Sequence, residues 1–474
     1  LKTDHAASPA RSRPRQLWAP IAWIDERWQA GVRFEIDSNG EWSAITAGVD
    51  PSPADYRLPG PTLPGLVNAH SHAFQRGFAG LTHRREATQD DFWSWREQMY
   101  SLALRINPEQ LRAIAALLYT ELLEGGYTQV CEFHYLHHDR DGRPHADPFI
   151  MSRALSKAAA DAGIGLTLLP VLYERAGFSE PALAERQRRF RTTVRDVLAI
   201  RDAVRSWQLP NVSAGVAIHS LRAASPDAIR QLASACADDK GPIHIHVAEQ
   251  QAEVRDCLAA TGQRPIAWLA AHAPLDARWH LVHATHVDPS EIDAIAATSA
   301  GVVVCPGTEA DLGDGRFHFE AWRARRVPMS IGSDSHVQRN WPQELRLLEY
   351  GQRLALERRN VAADPGAGVA STGAALLRSV LGAGASAAGF RDQAWGLKAG
   401  ARADCLVLDP QAGGLLGVAP HELIDAAIFA CEAPPFAEVW VAGQQRVSAG
   451  LHTDRSAHRG AFVAAMQGIR DAAD

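Results

Sequence analysis

The chain has 474 residues, 46% of them apolar, and a formal net charge of −6. That length suits a large barrel with a smaller module rather than one ordinary domain, and leaves ample material for a core. Acids and bases are interspersed and no apolar run reaches spanning length, which argues against nucleic acid or a membrane as partner.

In chain order, the first elements are short β segments at 17–24, 32–36 and 42–47, with Asn39-Gly40 as a hairpin turn. The Pro-rich stretch 51–64 reads as a connector. Eight strands then alternate with helices, at 66–70, 127–134, 164–172, 212–219, 242–247, 279–283, 301–305 and 327–334. Helical periodicity marks 108–124, 148–162 and 226–237 among the connections. Eight such repeats predict a (β/α)8 barrel. The connection from 71 to 107 is long, as loops carrying binding residues tend to be. After the barrel, 395–409 returns to β character, and 439–441 with 445–447 form a hairpin around Ala442-Gly443. The expected layout is a barrel over 63–385. Residues 1–62 and 386–474 flank it as the two parts of a small β-sandwich, the second ending in a helix.

Six cysteines, at 131, 236, 257, 305, 405 and 431, form no Cys-x-x-Cys pair. A zinc ribbon is excluded and a disulfide framework disfavoured, which fits a reducing cytoplasm. The N-terminus, Leu1-Lys2-Thr3-Asp4-His5, lacks the apolar core of a signal peptide and an initiator Met.

Ligand-type residues fall at four predicted strand ends. His70-Ser71-His72 closes strand one, with both imidazoles on one face of an extended segment. His246 closes strand five, His283 strand six and Asp334 strand eight. The C-terminal end of the strands is where barrel enzymes carry their chemistry. Three neutral imidazoles and a carboxylate suit one Zn²⁺ or Fe²⁺ with a position left for water, whose acidity the metal would raise. His283 and Asp334 could then take and move the proton. A single such histidine would ordinarily be a packed or solvated side chain; the coincidence at four strand ends marks a site.

With these motifs, Pro64-Gly65-Leu66-Val67-Asn68-Ala69-His70-Ser71-His72 and the terminal Gly400-Ala401-Arg402-Ala403-Asp404-Cys405-Leu406-Val407-Leu408, the chain resembles the amidohydrolase superfamily over nearly its whole length. The resemblance implies His70, His72, His246 and Asp334 as metal ligands and His283 as a catalytic histidine beside them. Many members hold two metals through a carboxylated lysine at the end of strand four. Here that strand ends Ala217-Ile218-His219-Ser220, and the only lysines are Lys2, Lys157, Lys240 and Lys398, so a single metal is expected. Glu249, three residues after His246, implies a deaminase-type member in which it moves a proton to the departing nitrogen. Addition of water to a C=N carbon gives a tetrahedral centre from which ammonia leaves only when protonated.

Within the superfamily, the resemblance is to the branch that deiminates N-formimino-L-glutamate in histidine degradation. It rests on Ala73-Phe74-Gln75-Arg76, Phe92-Trp93-Ser94-Trp95-Arg96-Glu97, Glu132-Phe133-His134-Tyr135 with His137-His138-Asp139, and His219-Ser220-Leu221-Arg222. It implies Gln75, Arg96, Tyr135, His219 and Arg222 as substrate-binding residues and a homodimer. Arginine clamps suit a dicarboxylate with a cationic formamidine head, although in so Arg-rich a chain most arginines simply solvate helix faces. Trp93 and Trp95 are expected to pack the long loop. His244 is expected in the core, His134, His137 and His138 in the pocket wall or a loop, and His286 in a loop; His336 is left without a role. Another aminohydrolase of the same architecture, acting on a nucleobase, nucleoside thioether or guanidino acid, is the alternative. A non-catalytic scaffold is disfavoured by the intact ligand positions, and a nucleic-acid deaminase by the absent Pro-Cys-x-x-Cys.

Overall fold

The protein is described from a computed structural model covering residues 14–83, 92–390 and 394–471; the expectation for the first five residues lies outside these. Eight parallel strands follow one another around a barrel: β1 (Leu66–Ser71), β2 (Tyr127–His134), β3 (Gly165–Leu172), β4 (Val216–Ser220), β5 (Ile243–Val247), β6 (Trp279–His283), β7 (Gly301–Val304) and β8 (Met329–Ile331). Almost every residue in them is buried, as expected for strands covered on both faces. The strand expected over 212–219 is interrupted at Gly215, and its first piece, Val212–Ala214, pairs with β3. The last strand is also shorter than its sequence implies. After Ile331 the chain leaves the extended conformation, and Asp334 sits at a φ of 47°.

Closure runs through the β8–β1 seam. The Ser333 and Asp334 amides both donate to the His70 carbonyl, at 3.1 and 3.0 Å, and the His72 amide donates to the Asp334 carbonyl at 3.2 Å. Asn68 completes the seam: its Oδ1 accepts from the Ser333 amide at 2.9 Å and its Nδ2 donates to Ser333 Oγ at 2.6 Å. A Cβ on Gly332 would lie 2.6 Å from the His70 Cβ, so only glycine permits this approach.

The outer helices start on orthodox caps. Asn107 and Gln110 form a reciprocal capping box, with Pro108 at the first position, at the head of the helix Pro108–Glu124. The helix Ile150–Ala162 ends on Gly163 at a φ of 74°. The long connection after β1 is not all loop: it holds a 3₁₀ turn, Ala73–Gly77, and a helix, Phe92–Ala103.

Strands from both chain ends form a separate, mainly antiparallel sheet, in which Thr62–Pro64 pairs with Gln16–Ile24 on one side and Cys405–Leu408 on the other. Leu17, Val32, Phe34, Trp42, Cys405, Val407 and Trp440 share its core. Gly65 alone separates this sheet from β1, and a Cβ there would meet Thr128 Oγ1 at 2.3 Å. The module is therefore joined tightly to the barrel.

Distant from the strand ends bearing the histidines, Asp239 ties the helix Val194–Ser206 to the approach to β5. It accepts from Arg205 at 2.7 and 2.9 Å, and from the Gly241 amide at 2.7 Å, and pairs with Arg201 at 2.9 Å. Burial pushes its pKa up, but the Arg205 and Gly241 hydrogen bonds and the nearby arginine charges outweigh this and bring it to about 2. A carboxylate with a depressed folded pKa contributes stability that is complete above its unfolded value near 4 and lost as pH falls through about 2. Asp239→Asn should lower stability at pH 7 by about 1–2 kcal/mol. In calorimetry the gap from the parent should narrow as pH falls from 4 toward 2; a gap independent of pH would contradict the assignment.

Candidate active site

His70 and His72 leave the end of β1, His246 lies in β5, and Asp334 follows β8 across the seam. Their donor atoms lie within 4.8 Å of one another, and all four residues are buried. His70 Nε2 is 3.1 Å from His72 Nε2 and 2.9 Å from His246 Nε2, and Asp334 Oδ1 lies 3.4 and 3.3 Å from the first two. A tetrahedral centre with metal–nitrogen distances of about 2.0–2.1 Å separates neighbouring donors by about 3.3 Å.

The tautomers strengthen this fit. His72 Nδ1 is 3.0 Å from the Phe133 carbonyl and His246 Nδ1 is 2.9 Å from the His219 carbonyl. A carbonyl only accepts, so each Nδ1 carries the proton and each Nε2 presents a lone pair. Burial lowers the pKa of His72, and lowers those of His70 and His246 further with help from neighbouring histidines. At most one proton then lies among three converging nitrogens, an arrangement that a bound cation satisfies. The four residues are a candidate metal site.

His283 stands beside it, its ring stacked 5.5 Å from His246. Its Nδ1 is 3.2 Å from Glu309 Oε1, and its Nε2 is 3.8 Å from both Glu249 Oε1 and Asp334 Oδ2. Burial lowers the His283 pKa, but Glu249, Glu309 and Asp334 outweigh it and raise it to about 10. Burial, with Asp334 and Glu253, raises Glu249 to about 7 against the opposing His283 and Arg222 charges. Ala248, His283, Ala284 and Asp334 all have φ between 47° and 70°. Non-glycine residues in that region cost about 1–2 kcal/mol each, and such strain gathers at sites where side-chain aim matters.

A cavity opens over this cluster. Its wall holds each of the expected side chains Gln75, Arg96, Tyr135, His219, Arg222 and Glu249. Gln75 Nε2 donates to Tyr135 Oη at 3.0 Å. Arg96 lies over the Tyr100 ring at 5.2 Å, and burial together with the Arg222 charge lowers its pKa. Trp95 packs on Phe78 at 5.5 Å, as expected of a loop-packing residue, but it also lines the cavity. The side chain of Trp93 lies outside the described residues.

The remaining histidines stand apart from the candidate ligands. His244 is 2.8 Å from the Ala387 carbonyl, deeper in the barrel, and burial lowers its pKa to about 4. His134 and His137 pack edge to face at 4.5 Å. His138 and His286 meet the Arg191 and Asp314 carbonyls, each at 2.7 Å. His336 spans Ser333 Oγ at 3.0 Å and Ser71 Oγ at 3.4 Å, behind the seam. Sequence reasoning missed Tyr100, Tyr173, Glu253 and Glu309. Tyr173 directly follows the end of β3, a position that could have flagged it. Glu309, five residues past β7, offered no such signal.

A model of the amidohydrolase family matches residues 62–446. The chain belongs to this family. It is 43% identical over 457 residues to a formimidoylglutamate deiminase of Pseudomonas aeruginosa, covering 96% of this chain and 99% of that one. A 5-methylthioadenosine/S-adenosylhomocysteine deaminase of Haloarcula marismortui is 25% identical over 78% of this amidohydrolase and 77% of the relative. Among solved structures, an amidohydrolase from Brucella melitensis superposes with a TM-score of 0.90 at 41% identity, covering 96% of this chain and 99% of that one.

His246→Ala and Asp334→Ala should each reduce divalent metal affinity of this amidohydrolase by at least about tenfold. His244→Ala, by contrast, should leave bound metal at the parent level. Metal content after dialysis measures both; loss of metal from His244→Ala alone would refute the assignment.

Proposed function

We propose that this amidohydrolase hydrolyses N-formimino-L-glutamate to N-formyl-L-glutamate and ammonia, a step of histidine degradation. The observation that carries the reading is the presence of Arg96 and Arg222 in the same cavity as the His/Asp cluster. Two guanidiniums sharing a partly desolvated space repel each other, and a dicarboxylate relieves that repulsion through bidentate hydrogen bonds. Tyr135, Gln75 and His219 add neutral polar contacts along the same wall. The 43% identity to a formimidoylglutamate deiminase supports the choice of substrate.

In this reading His70, His72, His246 and Asp334 hold one Zn²⁺, for which imidazole and carboxylate donors are suited; Fe²⁺ would accept the same donors. The metal supplies Lewis acidity that brings water toward deprotonation near neutral pH. Water adds to the formimino carbon while Asp334 and His283 take and hold its proton. Glu249 delivers a proton to the nitrogen, the C–N bond breaks, and ammonia leaves. The barrel spans 63–385 between two parts of the terminal module; β1 and the helix Thr372–Ala387 lie near these limits. The six cysteines are buried free thiols, which supports a reducing, cytoplasmic setting, and the working unit is a homodimer. No helix among the described residues is long and apolar enough to cross a membrane.

Metal-loaded protein should release ammonia from formiminoglutamate and not from S-adenosylhomocysteine or guanine. Release of formamide and glutamate, or no reaction, would overturn the reading. Glu249→Gln should lower kcat by about 10²–10⁴ with metal content unchanged. Arg222→Met should act mainly on KM, by about tenfold or more. An Arg222→Met enzyme with parental KM would remove the carboxylate clamp from the account.

A further inference from the structure

We propose that Glu309 is a positioning residue for His283, holding its ring with Nδ1–H toward the carboxylate so that Nε2 is the nitrogen presented to the cavity. The proposal rests on the deiminase reading, because that reading gives His283 its work. Glu309 Oε1 lies 3.2 Å from His283 Nδ1 and also accepts from the Cys305 amide at 2.9 Å. Glu309 Oε1 already accepts from the Cys305 amide, so the imidazole is the donor in this contact and Nδ1 carries a proton whether the ring is neutral or cationic. Nε2 is then the ring nitrogen that gains or gives up a proton at the cavity, between Glu249 and Asp334 at 3.8 Å each.

The support is itself held firmly. Glu309 is buried on the short helix Pro306–Leu312, which starts one residue after Cys305 at the end of β7. The Gly307 amide of that helix donates to Glu344 at 2.7 Å, and Glu344 is fully buried on the helix Trp341–Leu356 that follows β8. His283 has a φ of 70°, an uncommon conformation for a non-glycine residue although histidine tolerates it better than most. Its aim therefore depends on side-chain partners more than on the strand. Glu309 is neither one of the four candidate ligands nor a residue of the cavity lining; it reaches the chemistry through His283.

A bland role competes with this one: Glu309 could serve only to satisfy the Cys305 amide at the helix start. A double-mutant cycle separates the two. Glu309→Leu should lower kcat on formiminoglutamate by about 10²-fold, with KM within about threefold and metal content and thermal midpoint near the parent's. Glu309→Gln keeps an acceptor oxygen and should recover kcat to within about tenfold of the parent. In a His283→Asn background, adding Glu309→Leu should cost nothing further in kcat. Additive losses, a Gln variant as impaired as the Leu variant, or a kcat loss that tracks lost metal would each overturn the proposal. If the parent itself releases no ammonia, the deiminase reading falls instead. Failure of the positioning role alone requires an active parent.

Discussion

The seam between β8 and β1 is the contact on which the site depends. Closing a barrel requires its first and last strands to meet, and here they meet at residues that also supply ligand-type side chains. The His70 carbonyl takes two amides from 333 and 334, and the Asp334 carbonyl takes the His72 amide. The hydrogen bonds that shut the barrel therefore also fix the spacing of His70, His72 and Asp334. Gly332 makes the approach sterically possible, and Asn68 binds Ser333 from the strand opposite. Any change that loosens the seam moves three of the four candidate ligands at once, whereas His246 is held by the strands on either side of β5, including the His219 carbonyl of β4.

The second constraint is electrostatic. Burial keeps the three clustered imidazoles neutral, and the Phe133 and His219 carbonyls settle which nitrogen of His72 and His246 bears the proton. His283, only a strand away, is driven the other way because carboxylates from three directions surround it. The same fold thus holds neutral histidines and a strongly basic one within a few ångströms. The difference comes from partners: backbone carbonyls fix orientation without adding a full charge, whereas Glu249, Glu309 and Asp334 add negative charge.

Much of this was legible in the sequence because strand order and strand ends are local signals. The run from Leu66 to His72, the histidines ending two later strands, and the apolar runs between them carry their period and length openly. Less visible was everything set by tertiary approach. The strand expected to reach Asp334 stops at Ile331, since the seam pulls the chain out of the extended state. Trp95 was assigned to loop packing, yet a helix over Phe92–Ala103 turns it, Arg96 and Tyr100 into the cavity. Glu309 was unreadable because a seven-residue helix places it beside a histidine twenty-six residues earlier.

The cavity is polar in a directional sense, and this links the fold to its proposed substrate. Glu249, Glu309, Asp314 and Asp334 all interact with His283, whereas Arg96 and Arg222 lie against each other and His219, with Arg222 also facing Glu249 and Glu253. A ligand with a cationic amidine at one end and two carboxylates at the other matches both poles in one orientation and opposes both in the reverse. A neutral purine relieves neither. Under the proposed function, the arginines would draw the carboxylates to their side of the cavity and leave the C=N carbon beside His283 and Glu249, so that the charged groups set the direction of the substrate as well as its class.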